Sequence, residues 1–207
     1  DALNPPDLVG GLRYTVEALL EIGGDLLSEE AQAYYRGLLV RIPPLSFLER
    51  DGKHIIAPAK SWTGVINVEM PQLYTVFPYA LYGLGKPDLQ VAVDTWRHSG
   101  WNEKQLNHVS WHQQAIFCAL MGLTDDAAAY TLRKLTDSGR RFPAFWGPGH
   151  DWTPDHNWGG SGMIGLQEML MQCDGRKIRL LPAWPEGWEV NFKLHAPFNT
   201  VVEGRYA

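Results

Sequence analysis

Residues 106–138, LNHVSWHQQAIFCALMGLTDDAAAYTLRKLTDS, carry the pattern that decides the predicted fold. Apolar residues recur there every three or four positions, which is typical of amphipathic helices. The spacing predicts one helix over 106–123 and a second over 125–138, with Gly122 ending the first. Because few residues join them, we expect the two helices to form a hairpin.

The same spacing recurs on both sides of this hairpin. It predicts further helices over 8–22, 28–42, 73–84, 89–98 and 161–173. Alternating residues after Gly175 predict strands over 177–181, 188–194 and 200–206. We therefore predict a mainly α fold in which residues 1–175 belong to an α/α toroid and residues 176–207 lead into a C-terminal β domain. A four-helix bundle is the alternative, but bundles favour short loops, and the long connection over 45–72 has possible short strands near 46–47 and 54–56.

Composition narrows the class of protein. The chain has 207 residues, a formal charge of −5 and 45% hydrophobic residues, so it can bury a substantial core. It has no cluster of Lys and Arg, which argues against nucleic-acid binding. No apolar run approaches the ~20 residues that a membrane-spanning helix needs. Cys118 and Cys173 lie in apolar helical patterns and are expected to be buried free thiols.

Tryptophan is unusually frequent outside the periodic segments. The residues concerned are Trp62, Trp101, Trp146, Trp152, Trp158, Trp184 and Trp188. An indole offers a flat apolar face and one N–H donor, which suits the C–H faces and hydroxyl edges of sugars. These features favour a carbohydrate ligand. The alternative is that the rings fill gaps between helices.

The richest polar stretch is residues 146–160, WGPGHDWTPDHNWGG. It places carboxylates, imidazoles and an amide directly before a predicted helix, where side chains rest on a rigid base. Asp155 is a candidate general base for water, and Asn157 is a candidate for orienting that water or a sugar hydroxyl. Alternatively, either residue caps the following helix.

Two further polar clusters precede predicted helices. One comprises residues 101–103 and 110–112, which include Trp101, Trp111 and His112, and the other comprises Glu69 and Gln72. Glu69 has an alternative structural role, because a negative charge stabilises the N-terminus of a helix. The histidines lack the spacing of a zinc motif. No metal or organic cofactor is therefore expected.

One segment resembles a known enzyme family. Residues 155–172, DHNWGGSGMIGLQEMLMQ, are similar to the segment around the catalytic aspartate of glycoside hydrolase family 95, which contains inverting α-L-fucosidases and α-L-galactosidases. Residues 178–185, IRLLPAWP, resemble the family's H-L-L-P-A-L-P. Residues 42–45 and 72–78, IPPL and QLYTVFP, resemble its L-P-P and H-L-Y-G-L-Y-P, and Ser110-Trp111 stands where the family has G-W.

The resemblance implies an (α/α)6 barrel, of which this chain would hold a little over half, and a secreted or periplasmic protein. Asp155 matches the family's aspartate that helps to activate the attacking water, and Asn157 matches a neighbouring pocket amide. The general-acid glutamate of the family would precede residue 1. Asn67, Glu69 and Gln72 stand where the family has histidines, which indicates a changed substrate pocket.

The sequence thus predicts an inverting exo-glycoside hydrolase that acts on an α-linked, fucose- or galactose-like sugar of plant or host glycans. A carbohydrate-binding module without activity is the alternative, and a sugar phosphorylase or lyase is a third possibility. Because a partial toroid would expose apolar helix faces, we expect the rest of the polypeptide, or a cleaved companion chain, to complete the barrel.

We expect one funnel to bind the glycan. Its predicted lining is Trp101, Trp111, His112, Trp146, His150, His156 and Trp158, with Glu69 and Gln72 at the rim.

Overall fold

The computed structural model describes residues 1–23, 26–65, 68–136 and 156–207. The chain divides into two compact units, unit 1 (Asp1–Gln105) and unit 2 (Leu106–Ala207), and each is described by itself.

Unit 1 combines helices with short strands. Its elements are β1 (Ala2–Leu3), α1 (Pro6–Ile22), α2 (Glu29–Arg41), β2 (Phe47–Arg50), β3 (Lys53–Ile56), β4 (Ser61–Trp62), a 3-10 helix (Pro71–Thr75) and α3 (Leu89–His98). Helix α2 begins where the Ser28 hydroxyl accepts the Ala31 N–H, a typical N-cap. Helix α1 packs against α2 and the 3-10 helix and buries Val9 and Val16.

Strands β2 and β3 form an antiparallel hairpin that packs on α3. Asp51 and Gly52 join the strands with positive φ angles of 51° and 69°, as in the tight Asp-Gly turns that suit the twist of hairpins. Ile55 and Ile56 are buried. The Ile56 N–H donates to Thr95 Oγ1 of α3 (2.9 Å), so a hydrogen bond fixes the hairpin to the helix.

Replacement of Thr95 by valine is expected to lower the free energy of unfolding by about 1–3 kcal/mol, because the buried Ile56 N–H would lose its acceptor. Chemical denaturation would measure the loss. Thr136→Val is a matched control: both hydroxyls also donate to a carbonyl four residues earlier, but Thr136 is exposed. An equal effect of the two substitutions would contradict the role of Thr95.

Unit 2 has a helical core. Its elements are α4 (Gln114–Leu120), α5 (Thr124–Leu135), α6 (His156–Leu170), β5 (Met171–Asp174), β6 (Lys177–Leu180), β7 (Val190–Ala196) and β8 (Thr200–Tyr206). Helix α4 packs against both α5 and α6, and Ile116 and Phe117 are buried within it. A Cβ atom at Gly165 would lie 2.9 Å from the Ala115 Cβ, so glycine permits the close approach of α6 to α4.

The three strands predicted after Gly175 are confirmed as β6, β7 and β8, and the possible short strands near 46–47 and 54–56 are β2 and β3. The helix predicted over 161–173 ends at Leu170, and β5 follows it. β5 pairs with β6 and β7 pairs with β8, each pair antiparallel. Cys118 is a buried free thiol as expected, but Cys173, which lies on strand β5 and not within a helix, is exposed. The proposed boundary between residues 175 and 176 stays a prediction.

The predicted mainly α fold, an (α/α)6 toroid, is wrong. In the described residues the chain is a mixed α/β structure with six helices, 43% helical content and small antiparallel sheets. The helix expected over 73–84 is instead a short 3-10 helix followed by turns, in a segment that contains Pro78, Gly83 and Gly85.

The helix expected over 106–123 is shortened for a different reason. It begins only at Gln114. The Asn107 side chain accepts the N–H groups of His108 and Val109 (2.7 and 3.2 Å), and Ser110 has a φ of 51°. Such side-chain bonds compete with helix formation, so the apolar spacing continues while the backbone does not form a helix.

Apolar side chains on α1 and α2 are exposed to solvent, among them Leu8, Leu12, Ile22, Tyr34 and Val40. The expectation that further polypeptide covers such faces stays a prediction. Within the described ranges, no helix is both long and apolar enough to cross a membrane.

Candidate functional site

Unit 1 contains a cavity of about 300 Å³. Its volume lies at the lower end of the range of about 300–1,000 Å³ that is typical of small-molecule sites. The lining residues are Leu48, Arg50, Ile55, Ile56, Pro58, Trp62, Val65, Gln72, Ser99, Gly100, Trp101, Asn102 and Gln105. Aliphatic side chains, two indoles and several polar groups therefore share one small volume.

The loop after α3 forms the polar wall of this cavity. Asn102 Oδ1 accepts the N–H of Gln105 (3.1 Å), and Gln105 Oε1 accepts the N–H of Asn102 (3.1 Å), which is the reciprocal pattern of a capping box. Gln105 Nε2 then donates to the backbone carbonyl of Glu69 (3.4 Å). The loop is thereby tied to the segment that leads into the 3-10 helix, which supplies Gln72.

Two polar oxygens of the residues that line the cavity have no partner. Gln72 Oε1 and Ser99 Oγ are buried and make no hydrogen bond within the described part of the chain, and Gln72 is only 3% exposed. A buried polar atom without a partner costs about 1–3 kcal/mol.

Arg50 brings a positive charge to the same cavity. Its Nη1 donates to the backbone carbonyl of Ser99, so the guanidinium is held by the loop after α3. Gly100 has a φ of 71°, and a Cβ atom there would lie 2.6 Å from Arg50 Nη2. Glycine suits the positive φ of this turn, and a side chain there would have to displace the tip of Arg50.

The two tryptophans that line the cavity, Trp101 and Trp62, differ in how firmly they are held and in how far they are exposed. The indole N–H of Trp101 donates to the Trp96 carbonyl (2.9 Å), so this half-buried ring is fixed and presents its apolar surface. Trp62 is 41% exposed at the end of β4. Such rings provide apolar contact for a sugar ring.

Glu69 lies beside this wall but does not line the cavity in the described structure. Its Oε2 accepts the hydroxyl of Tyr74 (2.7 Å). Burial, the hydrogen bond to Glu69 and the charge of that carboxylate raise the pKa of Tyr74 above its ordinary value of 10.0. Tyr74 therefore stays protonated and holds the Glu69 side chain in place.

The candidates in unit 2 surround a buried lysine. Lys134 is 1% exposed, and its Nζ donates to the Ser110 carbonyl (2.9 Å). The Trp158 indole, itself 1% exposed, donates to the Lys134 carbonyl (2.9 Å). Trp111 stacks beside His112, which is 3% exposed and has its Nδ1 3.2 Å from Gln114 Nε2.

The predicted site residues thus fall on both units. Gln72 and Trp101 line one cavity, and Trp111, His112 and Trp158 belong to unit 2. Asn157 is exposed, and its carbonyl accepts the Ser161 hydroxyl (2.6 Å). Asp155, Trp146 and His150 lie outside the described residues, as does the side chain of His156, which begins α6. The single funnel stays a prediction.

Sequence reasoning missed Arg50, Ser99 and Gln105. The Asp51-Gly52 turn is a readable hairpin signal, and it could have directed attention to the adjacent Arg50. Ser99 and Gln105 carry no such signal, because tertiary contacts bring them to the cavity. Across the residues that the structure describes, no group of three His, Cys, Asp or Glu side chains could hold a metal ion.

One carboxyl group of unit 2 has an altered acidity. Burial raises the pKa of Glu168, on α6, from 4.5 to about 7. The folded protein then binds the proton more tightly than the unfolded chain does, so stability falls as the pH rises from about 4.5 to about 7.

Glu168→Gln should remove this pH dependence and raise the free energy of unfolding at pH 8 by roughly 1–3 kcal/mol, a range discounted for partial exposure. Denaturation at pH 5 and pH 8 would measure the change, with exposed Glu186→Gln as the control. Equal gains at both pH values would contradict burial of the charge as the cause.

No family model matches the sequence, and no curated protein matches it. The resemblance to glycoside hydrolase family 95 therefore rests on the quoted motifs alone.

Proposed function

We propose that the protein acts on carbohydrates and that the cavity of unit 1 binds one sugar ring. The observation that carries the proposal is that one small cavity is lined both by Trp101, whose indole is fixed by its bond to the Trp96 carbonyl, and by the polar residues Gln72, Ser99 and Asn102. A sugar ring has an apolar face for the indole and hydroxyl groups for the amide. The size of the cavity suits a single ring with its substituents.

The proposed reaction is hydrolysis of a glycosidic bond with inversion. Asp155 would act as the base that activates water, and Asn157 would orient that water or a hydroxyl group. An acid elsewhere in the protein would protonate the leaving oxygen, with the two carboxyl groups ~6.5–9.5 Å apart. This assignment rests on the resemblance of residues 155–172 and on the chemistry of these side chains.

A second candidate is sugar binding without hydrolysis. Among the described residues that line the cavity there is no Asp or Glu, so the cavity itself supplies no acid or base. Screening aryl glycosides and plant or host glycans separates the two candidates. Saturable binding without release of reducing sugar would favour the binding module.

The substitution Gln72→Met tests the sugar site, because it is expected to weaken sugar binding without lowering the stability of the protein. Removing the amide, whose Oε1 has no partner among the described residues, should leave the free energy of unfolding unchanged or raise it by up to about 1 kcal/mol, but weaken sugar binding about 5- to 100-fold because a hydroxyl loses its partner. Titration calorimetry and denaturation of the same samples would measure both quantities.

Gln172→Met is the matched control. Gln172 is also buried, at 5% exposure, but its Nε2 donates to the carbonyls of Ala119 and Glu168 (2.7 and 2.9 Å). This variant should lose about 1–3 kcal/mol of stability and keep its affinity for sugar. Unchanged sugar affinity of Gln72→Met would remove Gln72 from the site.

A further inference from the structure

We infer that the sugar taken by this cavity is acidic, a uronate or sulfated residue whose anionic group pairs with Arg50. The inference rests on the proposed function, since it specifies the class of sugar that the same cavity binds. Two observations support it. Arg50 places a positive charge at the cavity, and the neighbouring carboxylates, Glu49 and Asp51, lie close to histidines instead.

Arg50 has no acidic partner in the part of the chain that the structure describes. Of the two carboxylates nearest to it in sequence on the hairpin, Glu49 pairs with His54 (2.7 Å) and Asp51 lies 3.6 Å from His98. Lys53 stands directly opposite Arg50 in the hairpin and adds a second positive charge. No Asp or Glu lines the cavity among the described residues, so no lining carboxylate would repel an anion there.

The Arg50 guanidinium is also held in place while most of its N–H donors make no hydrogen bond with any described residue. One nitrogen, Nη1, donates to the Ser99 carbonyl, and the remaining N–H donors are available to a ligand. Ordering a long arginine side chain costs conformational entropy, and the bare backbone of Gly100 leaves the space for it. A planar guanidinium with free donors matches the paired oxygens of a carboxylate or sulfate.

The same cavity provides contacts for the rest of the sugar. Gln72 and Ser99 line the cavity, and rotation of their side chains would bring the buried Oε1 and Oγ to hydroxyl groups of the sugar, while Trp101 would contact the ring. An acidic sugar therefore satisfies the positive charge and the two unpartnered oxygens together. A neutral sugar would make no ion pair with the exposed Arg50 guanidinium.

The test compares matched methyl glycosides: galactoside, galacturonide and 6-sulfogalactoside, with the gluco series beside them. Titration calorimetry of the protein should give at least tenfold tighter binding of an acidic sugar than of its neutral counterpart. Arg50→Gln should weaken acidic-sugar binding about 10- to 100-fold and change neutral-sugar binding less than twofold. Tighter binding of the uronide identifies a carboxylate as the anion, and tighter binding of the sulfated sugar identifies a sulfate.

Two further variants, Lys53→Gln and Gly100→Ala, distinguish a direct ion pair between Arg50 and the sugar from a general effect of positive charge. A folding measurement on each variant excludes misfolding as the cause. Lys53→Gln removes an equal charge nearby but does not line the cavity, so it should weaken acidic-sugar binding less than threefold. Gly100→Ala keeps every charge but displaces the guanidinium, and it should also reduce the preference for the acidic sugar. Circular dichroism would verify that each variant is folded.

The inference is overturned if the neutral glycosides bind as tightly as the acidic ones, or if Arg50→Gln weakens both equally. The proposed function survives that result, because a sugar is still bound. Absence of binding of any glycoside would instead overturn the proposed sugar site, and this inference with it.

Discussion

Replacement of Trp158 by alanine is expected to lower the free energy of unfolding by about 3–5 kcal/mol, the range for removing a buried aromatic side chain. Trp158 is 1% exposed, lies edge-on to His108 with ring centroids 6.0 Å apart, and donates its indole N–H to the Lys134 carbonyl. The substitution would leave both a cavity and an unpartnered carbonyl. Chemical denaturation would measure the loss.

Trp188→Ala is the control for this prediction. Trp188 is only half-buried in the same unit, where it packs edge-on to Trp184, so its removal should cost less than Trp158→Ala. Trp158 was also predicted to bind substrate. Full stability of Trp158→Ala together with loss of sugar binding would show that the side chain serves the ligand rather than the core.

Asp155→Asn should reduce glycoside turnover at least ~100-fold if this carboxylate is the base that activates water. Asparagine keeps the size and the hydrogen-bonding edge of aspartate but cannot accept the proton. Because Asp and Asn cap helices about equally well, loss of a helix cap would not explain the loss of activity.

Initial rates on the best substrate from the glycan screen would measure the effect. Asp125→Asn is the control, since Asp125 is an exposed acidic residue in the first turn of α5. Unchanged turnover of Asp155→Asn would remove Asp155 from the mechanism. A matching loss in Asp125→Asn would point to a general effect of charge.

Capping residues and helix-breaking residues predicted the bounds of α2 and the start of α3. Ser28 and the proline pair at 43–44 bound the expected second helix, and the observed helix is Glu29–Arg41. The glycine and proline residues before Leu89 similarly indicated the start of α3. In each case the residues that begin or end the helix are adjacent to it in sequence.

The remainder of the fold depends on competing bonds and on distant contacts. The Asn107 side chain replaces the first turns of a helix with an irregular loop, and apolar periodicity does not register that competition. The toroid was inferred by assuming that each apolar segment formed a full helix. The segment over 106–123 is a shorter helix and the segment over 73–84 is a 3-10 helix with turns, so the toroid is no longer supported.

The sequence indicates polar and aromatic clusters but not how they assemble. Gln72 and Trp101 belong to two such clusters and both line the cavity, while their role in binding a sugar stays a prediction. Arg50 lines the same cavity because the β2–β3 hairpin packs on α3. A buried hydrogen bond from the Ile56 N–H to Thr95 Oγ1 fixes that packing. A contact between residues 39 positions apart leaves no local pattern in the sequence.

A crystal structure of the protein with the tightest-binding glycoside would test the central claim, that the cavity of unit 1 binds a sugar, most directly. The account predicts a sugar ring against Trp101, a hydroxyl within hydrogen-bond distance of the Gln72 amide, and an acidic group on Arg50. A glycoside bound elsewhere that touches none of these three residues would contradict it.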